Sequence, residues 1–211
     1  MVKVKICGIT NVSDADASVG AGCDAVGFVF YKKSPRYVSP PVAARIIHEL
    51  PAGTLAVGVF VNAREKTVRR IARLCGLDIL QFHGNESVEF CARFKEYKVI
   101  KSFRVKNKLD EEKIAGYKTF AYLMDTFVAS QAGGTGKRFD WKLIRGRRDL
   151  KRPIFLSGGL TAENVCEAVK VARPDWVDAS SSLEISAGKK DHAKVKAFIQ
   201  SVKKASALRA V

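Results

Sequence analysis

The chain has 211 residues, 47% of them hydrophobic, and a formal net charge of +16. That length carries one large domain or two small ones with a substantial core, and no apolar run approaches the roughly 20 residues of a membrane span. The five cysteines (Cys7, Cys23, Cys75, Cys91, Cys166) are odd in number, with no C-x-x-C pair and no Cys/His grouping of zinc spacing. They indicate neither a disulfide framework nor a metal site and fit reduced thiols in the cytoplasm.

The opening residues alternate, Val2, Val4 and Ile6 against Lys3 and Lys5. This is the period of a strand, where a signal peptide would show an apolar core. Cys7 and Gly8 close it, and Asn11, Ser13 and Asp14 start a helical pattern. Further strand-like runs cover 25–30, 55–61, 78–83, 99–104, 120–125, 153–157 and 176–180. Helical patterns fall at 13–21, 41–50, 65–75, 87–94, 109–115, 141–145, 162–171 and 192–205. Pro40-Pro41, Asn85-Glu86-Ser87 and Thr161 mark helix starts. Gly22, Gly53, Gly76 and Gly116 are expected as left-handed residues in the returns to the next strand.

Eight strands alternating with eight helices imply parallel βα units joined by right-handed crossovers. An open doubly wound sheet often shows a glycine-rich turn after its first strand, and Gly8-Ile9-Thr10 does not make G-x-G-x-x-G. The expected fold is an α/β single domain over 1–211, a closed (β/α)8 TIM barrel.

In such a barrel the carboxyl ends of the strands carry the active site. In order they supply Cys7-Gly8, the loop through Ser34-Pro35-Arg36, Val61-Asn62, Gln81-Phe82-His83-Gly84, residues 102–104, Asp125-Thr126, Ser157-Gly158-Gly159 and Asp178-Ala179-Ser180-Ser181. Gly158-Gly159 and Ser180-Ser181 follow strands seven and eight, the usual phosphate site of this fold, where backbone N–H groups face an anion. Gly133-Gly134-Thr135-Gly136-Lys137 looks like a nucleotide loop but has Gln131 and Arg138 at positions where a P-loop needs Gly and Ser/Thr. It reads as a loop over the barrel mouth. A thiolate at Cys7 and a protonated carboxyl at Asp125 would suit proton removal and delivery on a phosphosugar. Each residue has a plainer reading: Cys7 as a buried hydrophobe, Asp125 as a helix cap, Arg36 as a surface charge, His83 as a packed imidazole.

The net positive charge could serve nucleic acid or collect anionic metabolites. Lys and Arg are spread along the chain, and the densest groups, Arg145-Gly146-Arg147-Arg148 with Lys151-Arg152 and Lys203-Lys204, lack interleaved aromatics. Solvated outer faces and attraction of an anionic substrate are the expectation, with no nucleic acid and no membrane as partner.

Taken together, Lys5-Ile6-Cys7-Gly8-Ile9-Thr10, Ser34-Pro35-Arg36, Val59-Phe60-Val61-Asn62 and Gln81-Phe82-His83-Gly84 resemble the phosphoribosylanthranilate isomerase family of tryptophan biosynthesis. The resemblance continues through Asp125-Thr126, Gly133-Gly134-Thr135-Gly136, Phe139-Asp140-Trp141, Leu156-Ser157-Gly158-Gly159-Leu160 with Asn164-Val165, and 178–184 with Lys190-Asp191. It implies an Amadori rearrangement of N-(5-phosphoribosyl)anthranilate without metal or cofactor. It also implies Cys7 as general base at C2′, Asp125 as general acid at the ring oxygen, and Arg36 facing the anthranilate carboxylate. Gly158, Gly159, Ser180 and Ser181 become the phosphate grip, and Gln81, His83 and Asp178 pocket positions. The oligomeric state stays open, a homodimer being possible. Two departures from the family pattern follow strand eight: Ser182-Leu183-Glu184 in place of Gly-Val-Glu, and Ala187-Gly188 in place of Pro-Gly. A serine at 182 would disturb the backbone's approach to phosphate if that position needs φ > 0.

Overall fold

The structure, a computed structural model, describes residues 1–105, 109–125, 141–145 and 150–208. Thr126, the 133–137 loop, Phe139-Asp140 and Arg147-Arg148 lie outside the described residues. Eight strands form a closed barrel in chain order: β1 Lys3–Cys7, β2 Ala25–Val29, β3 Leu55–Phe60, β4 Ile79–Phe82, β5 Lys98–Arg104, β6 Ala121–Asp125, β7 Ile154–Ser157 and β8 Trp176–Ala179. Every neighbouring pair is parallel, and β8 closes onto β1 with Lys3 beside Trp176 and Lys5 beside Asp178. The helices are α1 Val12–Ala21, α2 Pro40–His48, α3 Glu65–Cys75, α4 Val88–Cys91, α5 Glu111–Ala115, α6 Lys142–Arg145, α7 Val165–Ala172 and α8 His192–Leu208.

Local chemistry explains the elements. Asn11, Ser87 and Asp110 each accept a hydrogen bond from the backbone N–H three residues on, satisfying a free donor of α1, α4 and α5. In α3 the buried residues Val68, Ile71, Ala72 and Cys75 repeat at the spacing of one helical face. Asp24, Asp78 and Asp175, just before β2, β4 and β8, each accept from the first amides of the preceding strand (Val4, Ala56, Ile154) at 2.8 Å. This recurring bond pins strand starts at the barrel floor.

Because parallel barrel strands are covered on both faces, two cores form. Val4, Ile6, Val26, Phe28, Phe60, Leu80, Phe82, Tyr122, Met124, Ile154, Leu156 and Val177 face the helices. Ala25, Val57, Ile79, Ile100, Ala121, Leu123, Phe155 and Trp176 fill the barrel itself. Phe155 and Trp176 stack there at 4.7 Å between centroids.

Three sequence expectations need correction. Gly22, Gly53 and Gly76 have positive φ, but Gly116 is right-handed (φ −59), closing the short α5 with a bond from its N–H to Glu112. Gly53 turns the chain after α2 has already ended at Glu49. Regular α7 begins at Val165, although the Val165 N–H already bonds the Thr161 carbonyl; the Asn164 side chain, bonded to the Thr161 and Gly159 backbone, gives the helix no side-chain cap. The structure also adds a short 3-10 turn, Ser181–Leu183, and a hairpin of β9 Glu184–Ser186 with β10 Lys189–Lys190 that no periodicity announced.

Candidate active site

Side chains alternate across a strand, so the residue two places beyond each barrel-core residue points inward at the carboxyl end. Past Ala25, Ile79, Ile100, Leu123, Phe155 and Trp176 this rule selects Gly27, Gln81, Ser102, Asp125, Ser157 and Asp178. On β1 the inward set is Lys3, Lys5 and Cys7, in register with Trp176, Asp178, Ala25 and Gly27. The polar layer at the mouth is therefore the continuation of the apolar layers beneath it.

Cys7 is 8% exposed at the end of β1. Gly27 faces it from β2: a Cβ there would lie 2.8 Å from Cys7 Sγ and 3.1 Å from Lys5 Nζ, so the missing side chain lets thiol and ammonium crowd the same point. Lys5 is fully buried and bonds Asp178 Oδ1 at 2.9 Å. Burial pushes the thiol's pKa up; Lys5 draws it down, Asp178 raises it and Lys190 lowers it, and the net direction is up. For Lys5, burial works against the charge. Asp178 and the Cys7 sulfur more than reverse that, so its pKa is raised and it stays an ammonium.

Asp125 ends β6, three strands from β1 by way of β8 and β7. His83 Nε2 lies 3.5 Å from Asp125 Oδ2, both side chains partly exposed. His83 thus stands beside the acid. Gln81 Nε2 meets His83 Nδ1 at 3.0 Å, and His83 Nε2 faces Asp125 and Ser102 Oγ, the latter at 3.4 Å. Gln81 Oε1 is buried without a hydrogen-bond partner among the described residues.

Arg36 makes a fork with Glu184: Nε donates at 2.9 and 3.1 Å and Nη2 at 2.7 Å. Buried Lys190 shares the same carboxylate at 2.9 Å and also donates to the Ser180 carbonyl at 3.2 Å. Burial would raise the Glu184 pKa, but the bonds from Arg36 and Lys190 outweigh it and hold the carboxyl low. Two cations on one carboxylate leave this corner of the mouth net positive, with Arg36 Nη1 free to bind among the described residues.

Gly158 (φ +103) and Gly159 (φ +64) turn the chain after β7 through a region closed to most side chains. Ser182 Oγ donates to the Leu160 carbonyl, joining the loops after β7 and β8. Ser180 Oγ is buried without a partner among the described residues, and Ser181 is exposed at the start of the 3-10 turn. The only described non-glycine residues with positive φ are Asn62 and Arg173, so serine at 182 meets no such backbone demand.

Sequence reasoning missed Lys5, Glu184 and Lys190 as parts of this site. Counting parity back from Cys7 would have put Lys5 on the inward face. Nothing local points from Glu184 to Arg36. Among the described residues no group of three or more His, Cys, Asp or Glu could hold a metal ion, and no helix is long and apolar enough to cross a membrane. A cavity of about 460 Å³ lined by Lys3, Pro174, Asp175 and Trp176 lies at the barrel's other end, away from every candidate group. Another, about 620 Å³, adjoins His83, Ser102 and Arg104.

Comparison with known proteins adds independent findings. The family profile of N-(5′-phosphoribosyl)anthranilate isomerase matches residues 4–201. An N-(5′-phosphoribosyl)anthranilate isomerase of Geobacter sp. (strain M21) is 47% identical over 98% of this chain and 100% of its own. A phosphoribosyl anthranilate isomerase crystal structure from Thermotoga maritima superposes with a TM-score of 0.90 at 49% identity, covering 97% of this chain and 100% of that one. A second crystal structure of a phosphoribosyl anthranilate isomerase, in complex with reduced 1-(o-carboxyphenylamino)-1-deoxyribulose 5-phosphate, reaches a TM-score of 0.88 at 47% identity, covering 97% of this chain and 100% of that one.

Proposed function

The chain belongs to the N-(5′-phosphoribosyl)anthranilate isomerase family, isomerases of tryptophan biosynthesis, and from that premise we propose a mechanism with Cys7 as general base and Asp125 as general acid. The reaction converts N-(5-phosphoribosyl)anthranilate to 1-(o-carboxyphenylamino)-1-deoxyribulose 5-phosphate. Asp125 protonates the furanose ring oxygen as the C1′–O bond breaks, and the anthranilate nitrogen lone pair forms C1′=N. The Cys7 thiolate then takes the proton from C2′, and the C–H electron pair becomes C1′=C2′ as the nitrogen recovers its lone pair. Ketonisation moves the C2′ hydroxyl proton out and one onto C1′, so substrate and product are isomers.

The observation that supports this reading is the mouth layer itself. The thiol, the acid with its imidazole neighbour, and the positive Arg36–Glu184–Lys190 corner all belong to one end of one barrel. Arg36, held rigid by Glu184, offers its remaining donors to the anthranilate carboxylate. The Ser180 hydroxyl, without a partner among the described residues, and the Gly158-Gly159 turn suit the phosphate. His83, oriented by Gln81, holds Asp125 toward the sugar.

The test is turnover of freshly generated phosphoribosylanthranilate, followed by its fluorescence. Cys7→Ser and Asp125→Asn should each lower kcat by about 10²–10⁴-fold, the usual worth of a positioned acid or base, with KM within a few-fold of wild type. A near-normal kcat in either variant would remove that residue from its role.

A further inference from the structure

We propose that Lys5 is a positioning residue that governs the ionisation of the Cys7 thiol, with Asp178, its partner on β8, as the opposing charge. This rests on the reading of Cys7 as the base, but its geometry stands alone. Lys5 and Cys7 are two residues apart on the inward face of β1, and Asp178 is the registered neighbour of Lys5 on β8. An ammonium has three protons to donate. Among the described residues Lys5 Nζ has one oxygen partner, Asp178 Oδ1. Its other neighbour is the sulfur, brought close by the bare backbone of Gly27. A fully buried ammonium that leaves donors uncommitted next to a thiol has an evident use for them. When Cys7 releases its proton to solvent, Lys5 donates to the thiolate and opposes its charge.

The charged groups that face the sulfur can be named from each side. Lys5 comes from its own strand and Asp178 from β8. Lys190 comes from β10, and Arg36 packs beyond Gly8. Strand β2 contributes no charge, only Gly27. Burial is the largest influence and keeps the resting group a thiol; Lys5 is the largest influence opposing it, and Asp178 works the other way. Removing the cation and removing the anion must therefore move the thiol in opposite directions.

The experiment is the rate of alkylation of Cys7 by iodoacetamide in the full chain as a function of pH, read at the Cys7 peptide by mass spectrometry. Thiolate is the reactive species, so the midpoint of the profile reports its ionisation. Lys5→Met should move the midpoint up by at least about one pH unit, which is about tenfold slower alkylation below it. Asp178→Asn should move it down and speed alkylation at the same pH. Opposite shifts are a signature that simple damage cannot produce, because unfolding would send both profiles toward that of an ordinary exposed thiol. If Lys5→Met does not fold, Lys5→Met with Asp178→Asn keeps a neutral pair in place. Its midpoint should still lie above wild type, because the cation is the stronger influence. Midpoints that stay put, or move the same way in both single variants, overturn the proposal. Turnover by Cys7→Ser separates the two readings: if it stays normal the base role falls, while the alkylation shifts still decide the role of Lys5.

Discussion

Two lysines are buried in the barrel wall, each against a carboxylate. Lys5 on β1 points into the barrel and meets Asp178 at 2.9 Å, while Lys101 on β5 points out, under the 83–86 loop, and meets Glu86 at 3.0 Å. Lys101 is saturated: besides Glu86 it donates to the carbonyls of Gly84 at 2.7 Å and of Phe82 and Ser102 at 3.3 Å. Glu86 in turn accepts from the backbone N–H of Asn62 and Gly84. Every donor is spent on tying together the ends of β3, β4 and β5, which is what a buried charge must do to offset its desolvation. Lys5 has one carboxylate and a thiol. The contrast teaches that burial and pairing do not tell a scaffold cation from a site cation, whereas hydrogen-bond saturation does.

The comparison breaks most sharply on Lys101→Met. Loss of the cation strands Glu86, so the unfolding free energy should fall by about 3–5 kcal/mol in a urea titration. The alkylation midpoint of Cys7 in the folded protein should not move. A shifted midpoint would mean that the two lysines are not separate devices. Adding Glu86→Gln should recover much of the lost stability, because no uncompensated charge is then left behind.

A smaller effect is expected at Asn62, which lies in the loop after β3 at φ +50 and accepts a bond from the Asn85 N–H at 2.7 Å. Asn tolerates this left-handed backbone better than Ala does. Asn62→Ala should cost about 1–2 kcal/mol from the lost bond and the strain. A cost near zero would show that the loop clamp hangs on Glu86 and Lys101 alone.

A further effect is on pH. Burial pushes the Cys23 thiol up to about 12, and those of Cys75 and Cys91 up to about 11. These folded values lie above the unfolded value of about 8.5, so the stability they contribute is complete below that pH. It is lost progressively as pH rises through about 11–12. Cys23 alone should cost about 1 kcal/mol at pH 9, seen as a falling urea midpoint between pH 8 and 10. A midpoint flat over that range would mean that burial does not hold these thiols neutral.

The eight-strand, eight-helix order was legible because strands rich in Val, Ile, Leu and Phe, separated by capped amphipathic helices, admit few topologies. The short helices α4, α5 and α6 came out shorter than their patterns. Gly116 departed from expectation because a five-residue helix can close right-handed on its own last turn. Cys7, Asp125 and the Gly158-Gly159 turn were legible as residues at strand ends. Lys5 was read as one of the polar partners in a Lys/Val alternation, since two-residue periodicity says which residues share a face but not which face meets water.

The sequence by itself determined the eight βα units, their parallel order, the expectation of a closed barrel and which residues close its strands, because these follow from local periodicity and chain order. Tertiary structure decided which face of β1 turns inward, a choice that parity extends to Lys5 only once Cys7 is known to face the barrel, since closing the barrel buries both faces. It also decided the partners: Asp178 for Lys5, Asp125 for His83, and Glu184 with Lys190 for Arg36. Those contacts join residues far apart in the chain, 148 positions in the case of Arg36 and Glu184. No local pattern encodes such a pairing; it exists only once the strands are in register and the hairpin after β8 folds back over the mouth.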